Sequence, residues 1–517
     1  AAAAVGGAMP ALGGLVCGLL LCKIGKFRRG QGIPVILEAL ASGRGFFGRR
    51  FFCPPLMALV TLVCGGSAGP EGPIAEIGSA TGSEVGRFSR LPPKTAKTLI
   101  GSGVAGGIAA VFNAPIGGVF FAIEVILRNY EIASLTPILI AAVVASVISR
   151  MALGNETALP FIEDMTIPTH ELPFFILLGL ICGFISIFYI YGIGSCHTLF
   201  SRSRVPLWVK PAIGGLLVGM IGMFFPHVMG EGYEWIGRVI HGDGGPWMFL
   251  MVLLVLKVLA TGLTLGSGQP GGAFAPAVFV GVMGGGVFGL ILEQMGFVQS
   301  HEAYAIMGIA GLITGALGAP ITAIMVTLQH VGHSPSVLLP VMTTVALCAF
   351  IMQLRGNVTI YTLDLLRRGI DLDRARHSDP LSLIQVKRVL HTTGYDELEG
   401  SVPVFEAFER FRDSSARWFV VRGEEGEYAG IITLHEMRMA ISERELARLL
   451  VVTDITDSFQ PRLHPRMNLK QALVSFNATD AEVLPVFTDP DDKRSFTGYI
   501  SRQDALNAYW QVTGGAD

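Results

Sequence analysis

Residues 65–78 read GGSAGPEGPIAEIG, a stretch in which a few acidic side chains stand among glycines and prolines within an apolar chain. Glycine is entropically costly inside a helix and proline lacks the amide hydrogen, so a helix is expected to break here. In a lipid bilayer such a break is tolerated only where protein buries it or a cavity adjoins it, and an ionisable residue at that depth is a functional candidate. Glu71, between the two Gly-Pro pairs, is therefore the first candidate functional residue.

A second stretch repeats this pattern. Residues 266–276 read GSGQPGGAFAP, and an offset of 200 residues aligns five of them with identical residues of the first stretch. Farther along, residues 103–124 align with residues 308–329 at an offset of 205, including a shared Ala-Pro-Ile. The chain thus contains two related halves. Paired Gly/Pro-interrupted apolar segments in two repeats predict a substrate site near the bilayer midplane, and the exposed amides of half-helix amino ends favour an anion there.

The composition of the chain is that of a membrane protein. Its 517 residues are 51% hydrophobic and 15% charged, with a mean hydropathy of +0.55, which is too apolar for an ordinary soluble protein. Four apolar runs approach the roughly 20 residues that a spanning helix needs, at 173–190, 208–225, 247–265 and 338–354. Other runs are shorter or broken by glycine, which predicts tilted and half-length helices. No basic, aromatic-interleaved stripe suggests a nucleic-acid partner.

The remaining polar groups of the apolar part receive structural interpretations. All seven cysteines fall in or beside it without a CxxC pair, so they are interpreted as small buried hydrophobic residues rather than disulfides or metal ligands. Glu38, Glu76 and Glu84 are expected to be solvated or to face an interface. No metal site is predicted.

A third glycine/proline break, GQGIP at residues 30–34, precedes the other two. In order, GQGIP, GPEGP at 69–73, GAFAP at 272–276 and Tyr361 resemble the anion-site motifs of the CLC chloride channels and proton-coupled chloride transporters. The resemblance covers residues 1–370, and the ordered set is specific where any one motif would be weak. It implies an all-α polytopic membrane domain of two inverted structural repeats with broken or half-length helices, and a homodimer with one pathway per subunit.

The resemblance also implies a role for each residue of these motifs. Glu71 would be the gating carboxylate, because a carboxylate tethered beside an anion site competes with the anion when ionised and vacates the site when protonated. The anion, expected to be chloride, would be bound by Gln31, Gly72, Ala273, Phe274 and Tyr361. Two positions depart from the family's motifs. Gln31 replaces a serine hydroxyl by a longer amide that both donates and accepts, and Pro70 replaces a basic residue, which removes a cation from the vestibule.

A third departure concerns proton coupling. Exchangers of the family usually carry a second, internal glutamate in a Glu-Glu pair after an Asn-Ala-Pro segment. Here the Asn-Ala-Pro of residues 113–115 leads to Glu124 and Val125, and the valine at the proton position cannot carry a proton. Glu124 is no simple substitute, since adjacent helical residues point about 100° apart. The resemblance therefore favours channel-like conduction gated by Glu71, and the alternative is a proton-coupled exchanger that lacks the usual internal glutamate.

After residue 370 the chain changes character. Residues 371–386 form a charged linker, and residues 387–445 and 446–517 each show a helix, two strand-like runs and a second helix. These segments resemble a tandem pair of α/β CBS domains, which lies on the cytoplasmic side in the CLC family. Some such pairs bind ATP, ADP or AMP, and others serve only in dimerisation or docking. The residues that match the nucleotide pattern are Thr433, Ser501 and Asp504.

These features together predict an integral, multi-pass protein of a prokaryotic inner or plasma membrane. Its expected partners are the lipid bilayer and a small anion, and no cofactor is required. Basic segments such as residues 202–210 are expected to face the cytoplasm. The chain begins without methionine, so part of the native amino terminus is expected to precede it. A membrane-anchored sensor or phosphotransfer enzyme is a weaker alternative, because no GxxxxGK[ST] loop, HExxH motif or Ser/His/Asp constellation supports it, and we predict that the protein is not an enzyme.

Overall fold

The chain folds into two units, Ala1–Leu372 and Asp373–Asp517. The structure is a computed structural model that describes residues 2–24, 32–41, 53–154, 165–331, 335–368, 370, 384–413, 416, 418–442, 449–457, 460–479 and 481–513. Of the predicted site residues, Gln31 lies outside these ranges.

The described part of the first unit is built from helices. Its first half contains α1 (Ala2–Ile24), α2 (Ile33–Ala41), α3 (Cys53–Val63), α4 (Glu71–Phe88), α5 (Pro93–Phe112), α6 (Pro115–Phe121) and α7 (Ile132–Leu153). A π-helical turn, Ala122–Leu127, follows α6 directly. The second half contains α8 (Leu172–Arg202), α9 (Lys210–Phe224), α10 (Tyr233–Ile240), α11 (Trp247–Gly266), α12 (Phe274–Gln294), α13 (Glu302–Leu317), α14 (Pro320–His330), α15 (Leu338–Leu354) and α16 (Ile360–Arg367).

Both predicted helix breaks are present at corresponding places in the two halves. In the first half α3 ends at Val63 and α4 begins at Glu71. In the second half α11 ends at Gly266 and α12 begins at Phe274. Each break thus ends one helix and starts another whose amino end lies inside the protein, as the glycine and proline content predicts.

The two halves also repeat the same helix packing. α4 packs against α5 in the first half, and α12 packs against α13 in the second. Glycines face each other at both crossings: a Cβ on Gly103 would lie 1.9 Å from the Gly78 oxygen, and one on Gly308 would lie 2.0 Å from the Gly281 oxygen. A side chain at either place would push the helices apart, so small residues permit the close approach. The sequence repeat is therefore also a repeat of helix pairs.

Six helical segments of the described part are long and apolar enough to cross a membrane, at 94–112, 132–153, 169–202, 247–266, 274–294 and 335–354. Three of the four apolar runs expected to span fall within these segments. The fourth forms α9, which has only 15 residues and is shorter than a bilayer requires. The predicted mixture of full-length and short helices is confirmed.

The centre of the first unit is formed by its second-half helices. Every residue of α13 from Ala303 to Leu317 is buried, and α12 is buried along most of its length. A helix that is apolar on all sides belongs inside a protein or bilayer rather than at a water-exposed surface. The break before α12 therefore lies deep in the unit.

The second unit contains two similar α/β motifs. Its strands are β1 (Tyr395–Glu399), β2 (Trp418–Arg422), β3 (Tyr428–Thr433), β4 (Val483–Phe487) and β5 (Phe496–Ser501). Its helices are α17 (Val404–Asp413), α18 (Leu434–Ser442), α19 (Leu469–Thr479) and α20 (Arg502–Thr513). β1 is parallel to β2, β2 is antiparallel to β3, and β4 is antiparallel to β5. In the second motif, Leu463 bridges Val486 in parallel, which corresponds to the β1–β2 pairing of the first.

Candidate functional site

The two helix breaks of the first unit are hydrogen-bonded directly to each other. The Gly69 amide donates to the Gly272 oxygen at 2.9 Å, and the Gly272 amide donates to the Gly69 oxygen at 2.7 Å. Ser67 adds contacts to α11, through its amide to Thr264 at 3.1 Å and through its hydroxyl to Thr261 at 3.0 Å. The repeated stretches found in the sequence therefore meet, and the amino ends of α4 and α12 are held side by side.

Glu71 lies at this meeting point and is fully buried. Its Oε1 accepts a hydrogen bond from the Ala275 amide at 2.9 Å, in the first turn of α12, and one from the Tyr233 hydroxyl at 3.5 Å. Its Oε2 has no hydrogen-bond partner among the described residues. The carboxylate thus occupies the amino end of α12, where the free amides and the helix dipole favour negative charge. An anion bound there would have to share or replace this position.

A cavity of about 800 Å³ reaches the same region from one side. Its wall includes Gly32, Gly72, Ala273 and Tyr361, so all three glycine/proline breaks contribute to it. Basic side chains also line it, namely Lys210, Arg367 and Arg368. Three of the predicted anion ligands are therefore brought together around one space with cationic groups at its wall.

Phe274, the fourth predicted anion ligand in the described part, is placed differently. Its ring packs in the core, 4.9 Å from the ring of Phe112, and it does not line the cavity. Its backbone amide belongs to the first turn of α12, and amides in that position have no acceptor within their own helix. At Phe274, as at Ala273, the group that can donate a hydrogen bond to an anion is therefore the backbone amide.

Tyr361 is the second residue of α16 and is 95% buried, since its exposed fraction is 5%. Its hydroxyl has no hydrogen-bond partner among the described residues. A buried hydroxyl without a partner costs free energy, so such a group near a cavity indicates a ligand position. A second buried tyrosine, Tyr189, donates to the Ala273 oxygen at 2.6 Å and so orients the start of α12.

Sequence reasoning missed Tyr189, Tyr233 and Lys257. Lys257 is fully buried in α11, where its ammonium donates to the Val228 oxygen at 3.1 Å and to the Gly230 oxygen at 2.8 Å. These contacts fix the segment that leads to Tyr233 and so to Glu71. A lone lysine within an apolar spanning helix is itself a signal of function that could have identified it. The two tyrosines gave no comparable signal.

The expectation for Glu76 is wrong. Its carboxylate is buried, with 2% of the residue exposed, and it accepts a hydrogen bond from the Gly32 amide. Gly32 directly precedes α2, so the carboxylate lies at the amino end of that helix and gains the same backbone stabilisation as Glu71 does at α12. Tertiary contact, which the local sequence pattern does not show, explains the burial.

The structure places Glu124 and Val125, the pair in which the sequence lacks a second glutamate, in different surroundings. Glu124 accepts hydrogen bonds from the amides of Ile321 and Thr322 at 2.8 and 2.7 Å, and from the Thr322 hydroxyl at 2.6 Å. It therefore caps the start of α14 and links the two halves. Val125 is buried in the hydrophobic core with 5% of the residue exposed.

The predicted nucleotide-binding residues of the second unit are engaged with neighbouring side chains. The Asp504 carboxylate accepts a hydrogen bond from the Ser501 hydroxyl and lies 2.9 Å from the His391 Nε2. The Asp504 amide donates in turn to the Ser501 hydroxyl oxygen. Thr433 donates to Glu436 through both its amide and its hydroxyl, at 2.7 and 2.8 Å. Both sets lie at the turn between a last strand and a helix, at equivalent points of the two motifs.

Comparisons with known proteins agree with the resemblance seen in the sequence. A family described as "Voltage gated chloride channel" matches residues 13–353, and the "CBS domain" family matches residues 397–443. The chain is 30% identical over 372 residues to a putative chloride channel protein ClcB-like of Ralstonia nicotianae, covering 70% of this chain and 86% of that protein.

A relative with a different assigned transport mode has the same percentage identity over a shorter alignment. The H(+)/Cl(-) exchange transporter ClcA of Vibrio cholerae is 30% identical over 329 residues, covering 60% of this chain and 68% of that protein. Among solved structures, a slow cyanobacterial Cl-/H+ antiporter superposes with a TM-score of 0.63 at 23% identity, covering 71% of this chain and 88% of that one. This structural likeness confirms the helical fold of the first unit.

Proposed function

Because the chain belongs to the voltage gated chloride channel (CLC) family of anion transport proteins, we propose that it conducts an anion, chloride, passively through the first unit under the control of Glu71. One observation carries the proposal: a fully buried carboxylate accepts the Ala275 amide at the amino end of α12, at the point where the two halves of the membrane domain are joined.

The gating step follows from competition for one electropositive position. When Glu71 is ionised, its carboxylate satisfies the amide at the start of α12 and repels an incoming anion. When Glu71 is protonated, the repulsion is removed and the neutral side chain can rotate away, so the anion takes its place. Few hydrogen bonds need to break for this rotation: Oε1 accepts from the Ala275 amide and, weakly at 3.5 Å, from Tyr233, and Oε2 has no hydrogen-bond partner among the described residues.

The cavity provides the other part of the pathway. In the proposal, its basic residues raise the local anion concentration, and the amides of Ala273 and Phe274, the Tyr361 hydroxyl and the Gly72 backbone replace the water around the anion. Since Lys210 borders a basic loop, the positive-inside tendency makes the cavity the cytoplasmic vestibule. Gln31 is proposed as a further ligand from its place in the motif alone.

The choice of a channel over an exchanger depends on the absence of a proton carrier at Val125. We expect proteoliposomes with an imposed chloride gradient to show anion flux without uphill proton movement, because a buried valine cannot relay protons from inside. Uphill proton movement that Glu71→Gln abolishes would contradict the channel mode and replace it with proton-coupled exchange. That second candidate is favoured by the exchange transporter among the relatives.

The proposal also assigns the rest of the chain. Residues 1–370 would carry transport, residues 371–386 would link them to CBS domains at 387–445 and 446–517, and the CBS pair would lie in the cytoplasm. Two copies of the chain would form a homodimer in a prokaryotic plasma membrane. In this proposal no step requires a cofactor, and the protein moves an anion across the membrane rather than catalysing a reaction.

We further propose that the CBS pair binds an adenine nucleotide through Ser501 and Asp504, with Thr433 at the equivalent turn. Calorimetric titration of the full chain with ATP, ADP and AMP should then show binding heat for at least one nucleotide. Asp504→Asn should lower the affinity for that nucleotide by about tenfold, since a charge-assisted hydrogen bond contributes roughly 1.5 kcal/mol. A titration without heat for all three nucleotides would refute nucleotide binding and leave the pair as a dimerisation or docking module.

A further inference from the structure

Helix α4 carries two buried carboxylates, and the proposed gate uses only one of them. Glu71 and Glu76 have exposed fractions of 0% and 2%. Five residues on a helix correspond to a rotation of about 140°, so the two side chains point to different neighbours. Each carboxylate nevertheless accepts a hydrogen bond from a backbone amide at the start of an interrupted segment. Glu71 accepts one from the Ala275 amide, and Glu76 accepts one from the Gly32 amide.

We propose that Glu76 is a second gating carboxylate, which controls anion occupancy from the cavity side through the Gly32 amide. Ionised, it holds that amide and places a negative charge beside the anion pathway. Protonated, it no longer repels the anion, and its hold on the amide is weakened. The inference rests on the proposed anion conduction and adds to it a response to the pH of the solution that fills the cavity.

The geometry links Glu76 to the pathway through the cavity wall. Gly32 and Tyr361 both line the cavity, and the buried Tyr361 hydroxyl has no partner among the described residues. Two residues that carry hydrogen-bond donors, the Gly32 amide and the Tyr361 hydroxyl, therefore line one space. The Tyr361 hydroxyl is available to a ligand, and the Gly32 amide is occupied by the Glu76 carboxylate. This is the arrangement seen at the start of α12, where Glu71 occupies an amide that an anion would use.

Capping alone does not account for a carboxylate at this position. Within the described part of the chain, Gly32 is the one hydrogen-bond donor to Glu76, and no lysine or arginine pairs with it. A glutamine side chain would accept the same hydrogen bond without the free-energy cost of burying an uncompensated charge. A charge that is costly to bury and is neutralised by one proton is suited to switching.

The other titratable and charged groups on the elements packed against α4 can be separated from Glu76. On α2, Glu38 pairs with Arg368 at 3.7 Å, and on α4 itself Glu84 pairs with Arg87. On α5, Lys94 pairs with Glu131 at 3.1 Å, and Lys97 is exposed. On α12, Glu293 pairs with His301 at 2.6 Å. On the cavity wall the further groups are His197, Lys210, Asp364, Arg367 and Tyr361. Apart from Glu71, whose response is read from the external pH, Glu76 is the buried acid among the described groups of α4 and the helices packed against it. Its removal therefore changes a titration that the paired or exposed groups do not reproduce.

The test is Glu76→Gln, with anion currents recorded in excised patches while the pH is changed on one face at a time. In the wild type, acidification of the cytoplasmic face from neutral pH should raise the current roughly fivefold, a typical size for coupling between two ligands. Glu76→Gln should carry the high current at all cytoplasmic pH values and keep the response to external pH. At acid cytoplasmic pH the wild type and the variant should conduct equally, which shows that the variant is folded.

The matched control is Glu171→Gln, which neutralises a carboxylate of similar burial that accepts a hydrogen bond from the Tyr304 hydroxyl at 2.8 Å. Unlike Gly32, the partner of Glu76, Tyr304 is not part of the cavity wall. Glu171→Gln should keep the cytoplasmic pH response. Persistence of that response in Glu76→Gln, or its loss in Glu171→Gln, would overturn the role of Glu76. A wild-type protein without any anion current would instead refute the proposed conduction, so the two failures are distinguishable.

Discussion

Glu71→Gln is expected to conduct anions at a rate that no longer depends on external pH. The amide side chain keeps the size of glutamate but has no charge with which to exclude the anion from the start of α12. Because one proton controls the wild-type site, wild-type conduction should fall by up to about tenfold for each pH unit above the titration midpoint. The measurement is anion flux or current across a series of external pH values.

Glu84→Gln provides the control for this experiment, because Glu84 is on the same helix and pairs with Arg87 at its exposed end. The control should retain the wild-type pH response. If Glu71→Gln also retained it, Glu71 would be a structural cap and the gate would have to be sought elsewhere. If Glu71→Gln alone lost it, competition between carboxylate and anion would be supported.

Gly272→Ala is expected to reduce anion flux by more than about tenfold. A Cβ at this position would lie 2.4 Å from Glu71 Oε2, 2.9 Å from the Gly72 amide nitrogen and 3.0 Å from the Gly69 oxygen. Two of these atoms are backbone and cannot rotate away, so the start of α12 must shift relative to α4. Overpacking of this kind costs about 1–3 kcal/mol, and 1.4 kcal/mol already corresponds to a factor of ten.

The flux should be measured on protein that elutes as one species in gel filtration, so that loss of transport is separated from loss of folding. Gly237→Ala is the matched control, because a Cβ at Gly237 would meet no atom within 4 Å. This control should transport at the wild-type rate. Wild-type flux through Gly272→Ala would show that the contact between the two breaks is not part of the pathway.

The elements that the sequence could predict are those with a local or repeated signature. The Gly/Pro composition of residues 65–78 and 266–276 marks both helix breaks, because few residues tolerate those backbone positions and the repeat supplies a second instance. The strands of the second unit follow equally from local content. The two strand-like runs predicted in each half of this unit are present as β2 and β3 and as β4 and β5, since β-branched and aromatic residues bounded by turns favour strands.

The elements that the sequence could not predict depend on contacts between distant segments. Glu76 was expected to be solvated or to face an interface, because nothing near it in the sequence indicates that Gly32 approaches it. Tyr189 and Tyr233 lie in helices whose apolar content explains their presence without any role. Their contacts to Ala273 and Glu71 span 84 and 162 residues of sequence, so only the assembled fold reveals them.

The paired hydrogen bonds between Gly69 and Gly272 limit how transport can proceed. Many carriers expose a central site alternately by rocking one repeat against the other. Here a movement that separated the two breaks would disrupt two mutual backbone hydrogen bonds of 2.9 and 2.7 Å. In the proposed mechanism the backbone frame stays in place and only the Glu71 side chain rotates, so the speed of the cycle should reflect rotamer changes and proton arrival rather than the slower reorientation of whole domains.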